Sequence, residues 1–207
     1  MTRRTAREVI VLLRGFVQAI DNARSRASGT VTLITGSPIM IVDTGAPEQR
    51  QELLEALRSH GVDPEQVAYV VNTHGHLDHV GNNNLFPHAT FVLDTDLARD
   101  GEYWSHDFGA GPLLIEGLDG AGPVTVMATP GHTDHDLSVL VRTDAGEVAV
   151  VGDLFEYGRD AEDGAWRRWS RDVPRQEASR EHVIRLADYI VPGHGDIFRS
   201  SRGSDAS

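Results

Sequence analysis

Six consecutive residues, His74-Gly75-His76-Leu77-Asp78-His79, place four side chains that can bind a metal directly after an apolar run. The run, residues 67–72, is rich in valine and predicts a buried strand. In the turn that follows, His74 and His76 can point to one spot, while Asp78 and His79 point to a neighbouring one. We expect Gly75 to permit the tight backbone of this turn. The stretch therefore predicts a metal site at the end of a strand.

Three further metal-binding side chains follow apolar runs in the same way. They are His132 after residues 124–128, Asp153 after residues 147–151 and His194 after residues 189–191. Ligands at the ends of rigid strands can be held with the precision that a metal site demands. A lone histidine after a strand is usually a surface residue, but five histidines and two aspartates in one context indicate a shared site. The remaining histidines are expected at the surface: His60, His88, His106, His135 and His182.

Composition limits the chemistry of this site. The chain has 207 residues, a net charge of -12 and no cysteine. Without cysteine there are no disulfides, zinc–thiolate sites or cysteine nucleophiles, so any metal is held by histidine and carboxylate, which suits Zn, Fe or Mn. The negative charge disfavours unspecific binding to nucleic acid or to an anionic membrane.

The length fits one domain, which we place at residues 1–199, with a flexible Ser/Gly/Asp/Arg-rich tail at residues 200–207. The apolar run at residues 9–17 is too short and too charged for a signal sequence or a membrane span. We therefore expect a soluble, cytoplasmic protein that does not enter the membrane.

Strand-like runs alternate with two helical patterns. Strands are predicted at residues 9–13, 30–34, 39–42, 67–72, 89–93, 124–128, 137–141, 147–151 and 189–191. Helices are predicted at residues 47–59 and 175–187, and residues 158–174 are predicted to be a long polar loop. This order excludes a helical bundle and indicates an α/β (α+β) fold of two sheets flanked by helices.

The spacing His-x-His-x-Asp-His, followed by His132, Asp153 and His194, resembles the metallo-β-lactamase superfamily over nearly the whole chain. Within it, the chain is similar to the family called metallo-β-lactamase domain-containing protein 1. The segments that carry this similarity are Thr73-His74-Gly75-His76-Leu77-Asp78-His79-Val80-Gly81-Asn82, Leu85-Phe86-Pro87, Ala128-Thr129-Pro130-Gly131-His132, Gly152-Asp153-Leu154-Phe155-Glu156 and Val191-Pro192-Gly193-His194-Gly195, with further likeness around Trp166 and Gln176-Glu177.

The resemblance implies an αββα sandwich of two mixed sheets flanked by helices, with the site at one edge. It implies two divalent metal ions, Zn first and Fe or Mn as alternatives. The ligands implied are His74, His76 and His132 for one ion and Asp78, His79 and His194 for the other, with Asp153 as the bridge. Asp43 matches an early strand-end aspartate that would orient a ligand imidazole; a plain turn residue before Gly45 is an equal alternative.

The mechanism that follows needs no serine, threonine or cysteine triad. Two metals about 3.5–4 Å apart can bind a bridging water, lower its pKa and polarise the scissile group. Our hypothesis is that Asp78 and Asp153 act as catalytic residues by orienting the hydroxide that attacks a carbonyl or phosphorus centre.

Three functions remain open, and the first is hydrolysis of a small ester, thioester or lactone, which we favour for a compact acidic protein. The second, implied by the family resemblance, is endoribonuclease cleavage of RNA, for which the chain would need a basic patch at Arg167, Arg168, Arg171 and Arg175. The third is a mononuclear iron persulfide dioxygenase on the same fold. RNA and a second copy of the chain, as a homodimer, stay open as partners beside a small molecule.

Two aromatic segments are candidate walls of the substrate site. The loop with Trp166 and Trp169 lies between Asp153 and His194 in sequence, so it can overhang the site, or its tryptophans can simply anchor the loop. Tyr103-Trp104-Ser105-His106 is a second candidate with the same two interpretations.

Overall fold

Two mixed β-sheets form the centre of the molecule. The computed structural model describes residues 7–21, 23–117 and 120–201. Strands are numbered along the chain. The first sheet has seven strands, in the spatial order β1 (Val9–Leu13), β4 (Val31–Ile34), β5 (Met40–Val42), β6 (Tyr69–Val71), β7 (Thr90–Leu93), β8 (Asp96–Arg99) and β9 (Glu102–Ser105).

The second sheet comes entirely from the later part of the chain. It has six strands, in the order β10 (Leu113–Ile115), β11 (Val124–Ala128), β12 (Leu137–Thr143), β13 (Gly146–Val150), β14 (Tyr189–Val191) and β15 (Phe198–Arg199). β2 (Phe16–Ala19) and β3 (Ser25–Ser28) form a separate antiparallel hairpin. Neighbouring strands are antiparallel except for β5, β6 and β7 in the first sheet and β13 with β14 in the second.

The sheets pack face to face through β-branched and aliphatic side chains. Val42, Val71 and Val92 of the first sheet and Val139 and Val150 of the second belong to one fully buried cluster. Burial of this much apolar surface is the main favourable contribution to folding. The central strands are therefore apolar on both faces, since helices cover the outer faces.

One helix covers each outer face. α1 (Arg50–Ser59) follows a 3-10 turn at Pro47–Gln49 and buries Leu53 and Leu57 against the first sheet. Two short helices, α2 (Leu77–Val80) and α3 (Asp160–Asp163), lie in connections. α4 (Val173–Leu186) covers the second sheet. The layers are thus helix, sheet, sheet and helix, and the αββα sandwich expected from the resemblance is confirmed.

All nine predicted strands are present, with ends that move by at most two residues. The helix predicted at residues 47–59 begins as a 3-10 turn, and the one predicted at 175–187 begins earlier, at Val173, because the Asp172 side chain accepts a hydrogen bond from the Arg175 backbone N–H. The prediction of a structureless loop at residues 158–174 was wrong: it contains α3, a 3-10 turn at Ala165–Arg168 and the start of α4.

The chain ends are only partly described. Ser200 is buried, and its backbone N–H donates to the Asp188 carbonyl, so the described chain is still attached to the domain at the first residue of the proposed tail. Residues 1–6 and 202–207 lie outside the described residues, and with them most of that tail. Among the helices that the structure describes, none is long and apolar enough to cross a membrane.

Candidate metal centre

The seven predicted ligands meet at one edge of the two sheets. β6 leads into the segment from His74 to His79, and the later strands β11, β13 and β14 are followed by His132, Asp153 and His194. Backbone hydrogen bonds join the sheets at this edge, from Leu137 N–H to the Thr73 carbonyl and from Thr30 N–H to the Gly193 carbonyl, both at 2.7 Å. The site therefore lies at the seam between the sheets.

His74, His76 and His132, the first triad, direct one nitrogen each to a common point. Nε2 of His74 lies 2.9 Å from Nδ1 of His76. Nε2 of His132 lies 3.1 Å from the same nitrogen of His76. Asp153 completes the group, with Oδ2 at 3.4 Å from His132 Nε2 and 3.7 Å from His74 Nε2.

Asp78, His79 and His194, the second triad, surround the other oxygen of the same carboxylate. Oδ1 of Asp153 lies 3.2 Å from Nε2 of His79 and 3.2 Å from Nε2 of His194. Oδ2 of Asp78 lies 3.9 and 3.8 Å from these two nitrogens. Oδ1 of Asp153 thus faces the second triad, whereas Oδ2 faces the first triad and also lies 3.4 Å from Nε2 of His194.

The spacing of these atoms suits metal ions. Ligands bound tetrahedrally at about 2.1 Å are separated from one another by about 3.4 Å. The measured separations of 2.9 to 3.9 Å bracket this value. Nε2 of His79 and Oδ1 of Asp153 are also buried and make no properly angled hydrogen bond among the described residues. Buried polar atoms are rarely left in this state, so the donor set fits metals in both triads.

Hydrogen bonds behind the imidazoles determine which nitrogen faces the site. Oδ2 of Asp43 lies 2.7 Å from Nδ1 of His79, and both oxygens of Asp43 also accept hydrogen bonds from Thr73. Nδ1 of His194 lies 3.0 Å from the Ser28 carbonyl oxygen. Such contacts leave Nε2 of each ring available for a metal. Asp43 thus touches a candidate ligand, as the resemblance implies.

The backbone around Asp153 is held from two sides. The Gln176 side-chain N–H donates to the carbonyls of Asp153 and Leu154 at 3.0 and 3.2 Å. Gly193 packs so closely that a Cβ there would lie 1.9 Å from Oδ1 of Asp153. Glycine at 193 is therefore a requirement of the site. Gly75 is not: a Cβ there would meet nothing within 4 Å, so our expectation that its turn needs glycine was wrong.

Charges divide the site into two parts. Burial lowers the pKa of His74 well below its ordinary value, and burial likewise lowers the pKa of His132. Burial alone would also lower the pKa of His79 and His194, but the Asp153 carboxylate outweighs it and raises both. Burial would raise the pKa of Asp153, yet the imidazoles of His79 and His194 hold it well below its ordinary value. A cation entering the second triad would therefore displace protons.

A pocket of about 230 Å³ opens beside the second triad. We call it the site pocket; its lining residues are Val17, Ala19, Glu156, Tyr157, Ala165, Trp166, Arg168, Trp169 and His194. The hairpin of β2 and β3 supplies one wall and the 3-10 turn Ala165–Arg168 the other. The predicted loop between Asp153 and His194 thus does adjoin the site.

The two tryptophans of this segment differ in role. Trp166 is only 2% exposed, and the Arg180 guanidinium lies 4.5 Å from the centre of its ring. Trp169 is 51% exposed and borders the site pocket. Trp166 therefore anchors the segment, as one interpretation proposed, while Trp169 offers an accessible aromatic surface.

Two of the four arginines predicted to form a basic patch are paired with acidic side chains. Arg167 pairs with Glu177, and Arg171 lies 3.0 Å from Asp134. Arg168 lies over the Trp169 ring, at 5.1 Å from its centre. Acidic partners thus offset part of the local positive charge, while Arg168 and Arg175 are exposed and have no ion pair among the described residues.

The second candidate wall lies at a different pocket. Tyr103 lines a pocket of about 340 Å³ with Asn72, Phe91 and Leu93, and none of the seven candidate ligands borders it. The histidines expected at the surface are exposed at positions 60, 88, 135 and 182, whereas His106 is half-buried beside the Gly111 carbonyl.

The residue that sequence reasoning missed is Glu156. One carboxylate oxygen of Glu156, one carboxylate oxygen of Asp153 and one ring nitrogen of His194 all lie within 4.8 Å of one another. Burial raises the pKa of Glu156 to about 8. Its position three residues after Asp153 was visible in the sequence, but the 3-10 turn Gly152–Leu154 that turns it toward the site was not.

Known proteins share these features. The model of the metallo-β-lactamase superfamily matches residues 25–194. Metallo-β-lactamase domain-containing protein 1 of Xenopus laevis is 47% identical over 193 residues, which cover 92% of this chain and 81% of that protein.

Solved structures share the fold. A Thermotoga maritima protein described as a metallo-β-lactamase has a TM-score of 0.68 at 21% identity, covering 94% of this chain and 100% of that chain. An N-acyl homoserine lactone hydrolase, with its product N-hexanoyl-L-homoserine bound at the catalytic metal centre, has a TM-score of 0.61 at 18% identity, covering 91% of this chain and 92% of that chain. The chain is therefore a hydrolase with a site able to bind metal, and it belongs to the metallo-β-lactamase superfamily.

Proposed function

We propose that this hydrolase holds two divalent metal ions, zinc first, and cleaves a small ester, thioester or lactone. The observation that carries the proposal is the position of Asp153 between the triads: its Oδ2 lies 3.4 Å from Nε2 of His132, and its Oδ1 lies 3.2 Å from Nε2 of both His79 and His194. A carboxylate placed in this way can bridge two ions, and the remaining ligands then divide into two sets of three.

The ligand side chains have separate tasks in this proposal. Two ions held here would lower the pKa of water and polarise a carbonyl group. Asp43, Ser28 and Gln176 keep the ligands in place through the contacts described above. Asp78, whose side chain is 23% exposed, and Asp153 accept hydrogen bonds from the attacking water and so orient it toward the scissile carbonyl.

The site pocket supports a small substrate. Its volume of about 230 Å³ holds a ring or a short acyl group, and Val17, Ala19 and Trp169 supply apolar surface for such a group. The homologous fold with a hydrolysed lactone at its metal centre supports lactones within this class. A cytoplasmic location, inferred from composition, belongs to the same proposal.

RNA cleavage is less well supported. The protein carries a net charge of -12, and the arginines nearest to the site are paired with acidic or aromatic side chains. Binding of RNA depends on unpaired basic groups that contact phosphates.

The test is turnover of a panel of thioesters, lactones and short RNAs by the wild-type protein and by His76→Ala and Asp153→Ala. Removing a metal ligand costs several kcal/mol of transition-state stabilisation, so kcat/KM falls about 10³-fold while the circular dichroism spectrum stays unchanged. Unchanged activity in both variants defeats the proposed mechanism. One iron per chain together with oxygen consumption would identify the persulfide dioxygenase instead.

A further inference from the structure

Glu156 lines the site pocket without a hydrogen-bonding partner for its carboxylate. The residue is 7% exposed, and none of the residues that the structure describes donates a hydrogen bond to its side chain. Nε2 of His194, itself a candidate metal ligand, lies 4.0 Å from Oε2. The carboxyl oxygens are not among the fully buried unpaired atoms of the described residues, so they face the site pocket, where a bound molecule can donate a hydrogen bond to them.

The backbone of Glu156 is held rigidly on both sides. Its N–H donates to Oδ2 of Asp160 at 2.7 Å, and its carbonyl accepts from His194 N–H at 2.8 Å. Asp160 is itself buried and paired with Arg180. These contacts fix the backbone from which the Glu156 side chain reaches the pocket wall.

A role for Glu156 as a further metal ligand is less consistent with the geometry. Asp153 and His194, its neighbours in the group of three, already belong to the arrangement around the second triad, where their atoms are 3.2 Å apart. Oε2 of Glu156 lies farther away, at 4.0 Å from His194. Glu156 therefore stands beside the metal site, on the side where the site pocket opens.

We propose that Glu156 is a specificity-determining residue that accepts a hydrogen bond from an N–H or O–H group of the substrate next to its scissile carbonyl. This rests on the proposed hydrolysis of small esters and lactones. An acylamino lactone has such an N–H one bond from the carbon beside the carbonyl, and its acyl chain can lie against Val17 and Trp169. A lactone that carries only an alkyl chain has no N–H or O–H group that could donate a hydrogen bond to Glu156.

The experiment compares N-hexanoyl homoserine lactone with γ-decalactone, which lacks the amide. The variants are Glu156→Ala and Glu156→Gln, with Glu162→Gln as the matched control, since Glu162 is exposed in the same segment. Loss of this hydrogen bond is expected to lower kcat/KM for the amide lactone about 10-fold in Glu156→Ala. Glu156→Gln keeps an acceptor oxygen, so its kcat/KM for the amide lactone is expected to fall less. The rate on γ-decalactone and both rates of the control stay within about threefold of wild type.

A binding measurement separates this inference from the proposed reaction. The open-chain products, N-hexanoyl homoserine and 4-hydroxydecanoate, are titrated while tryptophan fluorescence is followed, because Trp166 and Trp169 border the pocket. Glu156→Ala is expected to weaken binding of the amide product alone, with metal content per chain unchanged.

Three results would overturn the inference: loss of metal in Glu156→Ala, equal loss of rate on both lactones, or a wild-type protein that neither cleaves nor binds the amide compounds. A wild-type protein that binds the amide product through Glu156 but cleaves no lactone, ester or thioester would refute the proposed reaction and leave the recognition role standing.

Discussion

Asp43 and His79 form a short contact across the base of the metal site: Oδ2 of Asp43 lies 2.7 Å from Nδ1 of His79. Asp43 achieves this from the left-handed backbone region, with φ 57°, directly after β5. Asparagine tolerates this region as well as aspartate does, so the charge can be removed without straining the backbone.

The first prediction concerns this contact. Asp43→Asn is expected to lower metal affinity about 10–100-fold, because His79 loses the carboxylate that orients its ring. Titration of the apo protein with Zn²⁺ measures the change, with Asp96→Asn, at an exposed position of β8, as the control. If Asp43→Asn bound Zn²⁺ as tightly as the wild-type protein does, Asp43 would be only a turn residue.

The second prediction uses the division of ligands between the triads. His132→Ala removes a ligand of the first triad only, and His194→Ala removes one of the second only, so each variant is expected to retain one metal per chain after dialysis. Asp153 lies between the two triads, so Asp153→Ala is expected to weaken metal binding at both sites. Elemental analysis gives the number of metal ions per chain. The control is His182→Ala, at an exposed position of α4, which is expected to keep two ions.

The third prediction concerns metal removal. A chelator is expected to lower the melting temperature, since each ion at 100 times its dissociation constant adds about 2.7 kcal/mol to the free energy of unfolding. Zn²⁺ restores the wild-type value. A melting temperature that does not respond to chelation or to Zn²⁺ would show that the folded state gains nothing from metal.

The fourth prediction compares two glycines. Gly193→Ala is expected to displace Asp153, because the new Cβ would lie 1.9 Å from its Oδ1, and overpacking of this kind costs about 1–3 kcal/mol. Gly75→Ala meets open space and is expected to keep stability and metal content. Thermal melts and metal analysis of both variants check the pair; equal behaviour would contradict the close approach of Gly193.

The fifth prediction concerns the support under the site pocket. Asp160→Asn leaves the buried Arg180 without its charge partner, which costs about 3–5 kcal/mol in the free energy of unfolding. The exposed pair of Arg142 and Glu147 is the control, where Arg142→Ala costs about 1 kcal/mol or less. Urea unfolding with a constant m value measures both.

The candidate ligands were predictable from sequence because each comes after a strand rich in valine and other apolar residues, a pattern that is visible without the structure. The hairpin of β2 and β3 was not predicted. All four residues of Phe16–Ala19 are exposed, so the strand lacks the alternation of apolar and polar residues that reveals a half-buried strand. The strand Asp96–Arg99 was also not predicted, because it begins and ends with a charged residue.

The pocket was harder to predict than the metal ligands. Sequence alone left the two tryptophans equivalent, whereas contact with Arg180 buries Trp166 and leaves Trp169 at the surface. Glu156 faces the site through a turn that depends on Asp160, Arg180 and the neighbouring strand β14. Contacts between segments that are far apart in the chain produce no local sequence pattern, so they could not be predicted.

Each triad combines side chains that follow the first sheet with one that follows the second, and His76 and His132 are 56 positions apart. An ion in either triad would therefore act as a reversible cross-link between the two halves of the chain, closing a long loop as a disulfide does in proteins that contain cysteine. Metal supply would then govern more than catalysis: it would determine how long the two halves stay joined and how readily proteases reach the seam.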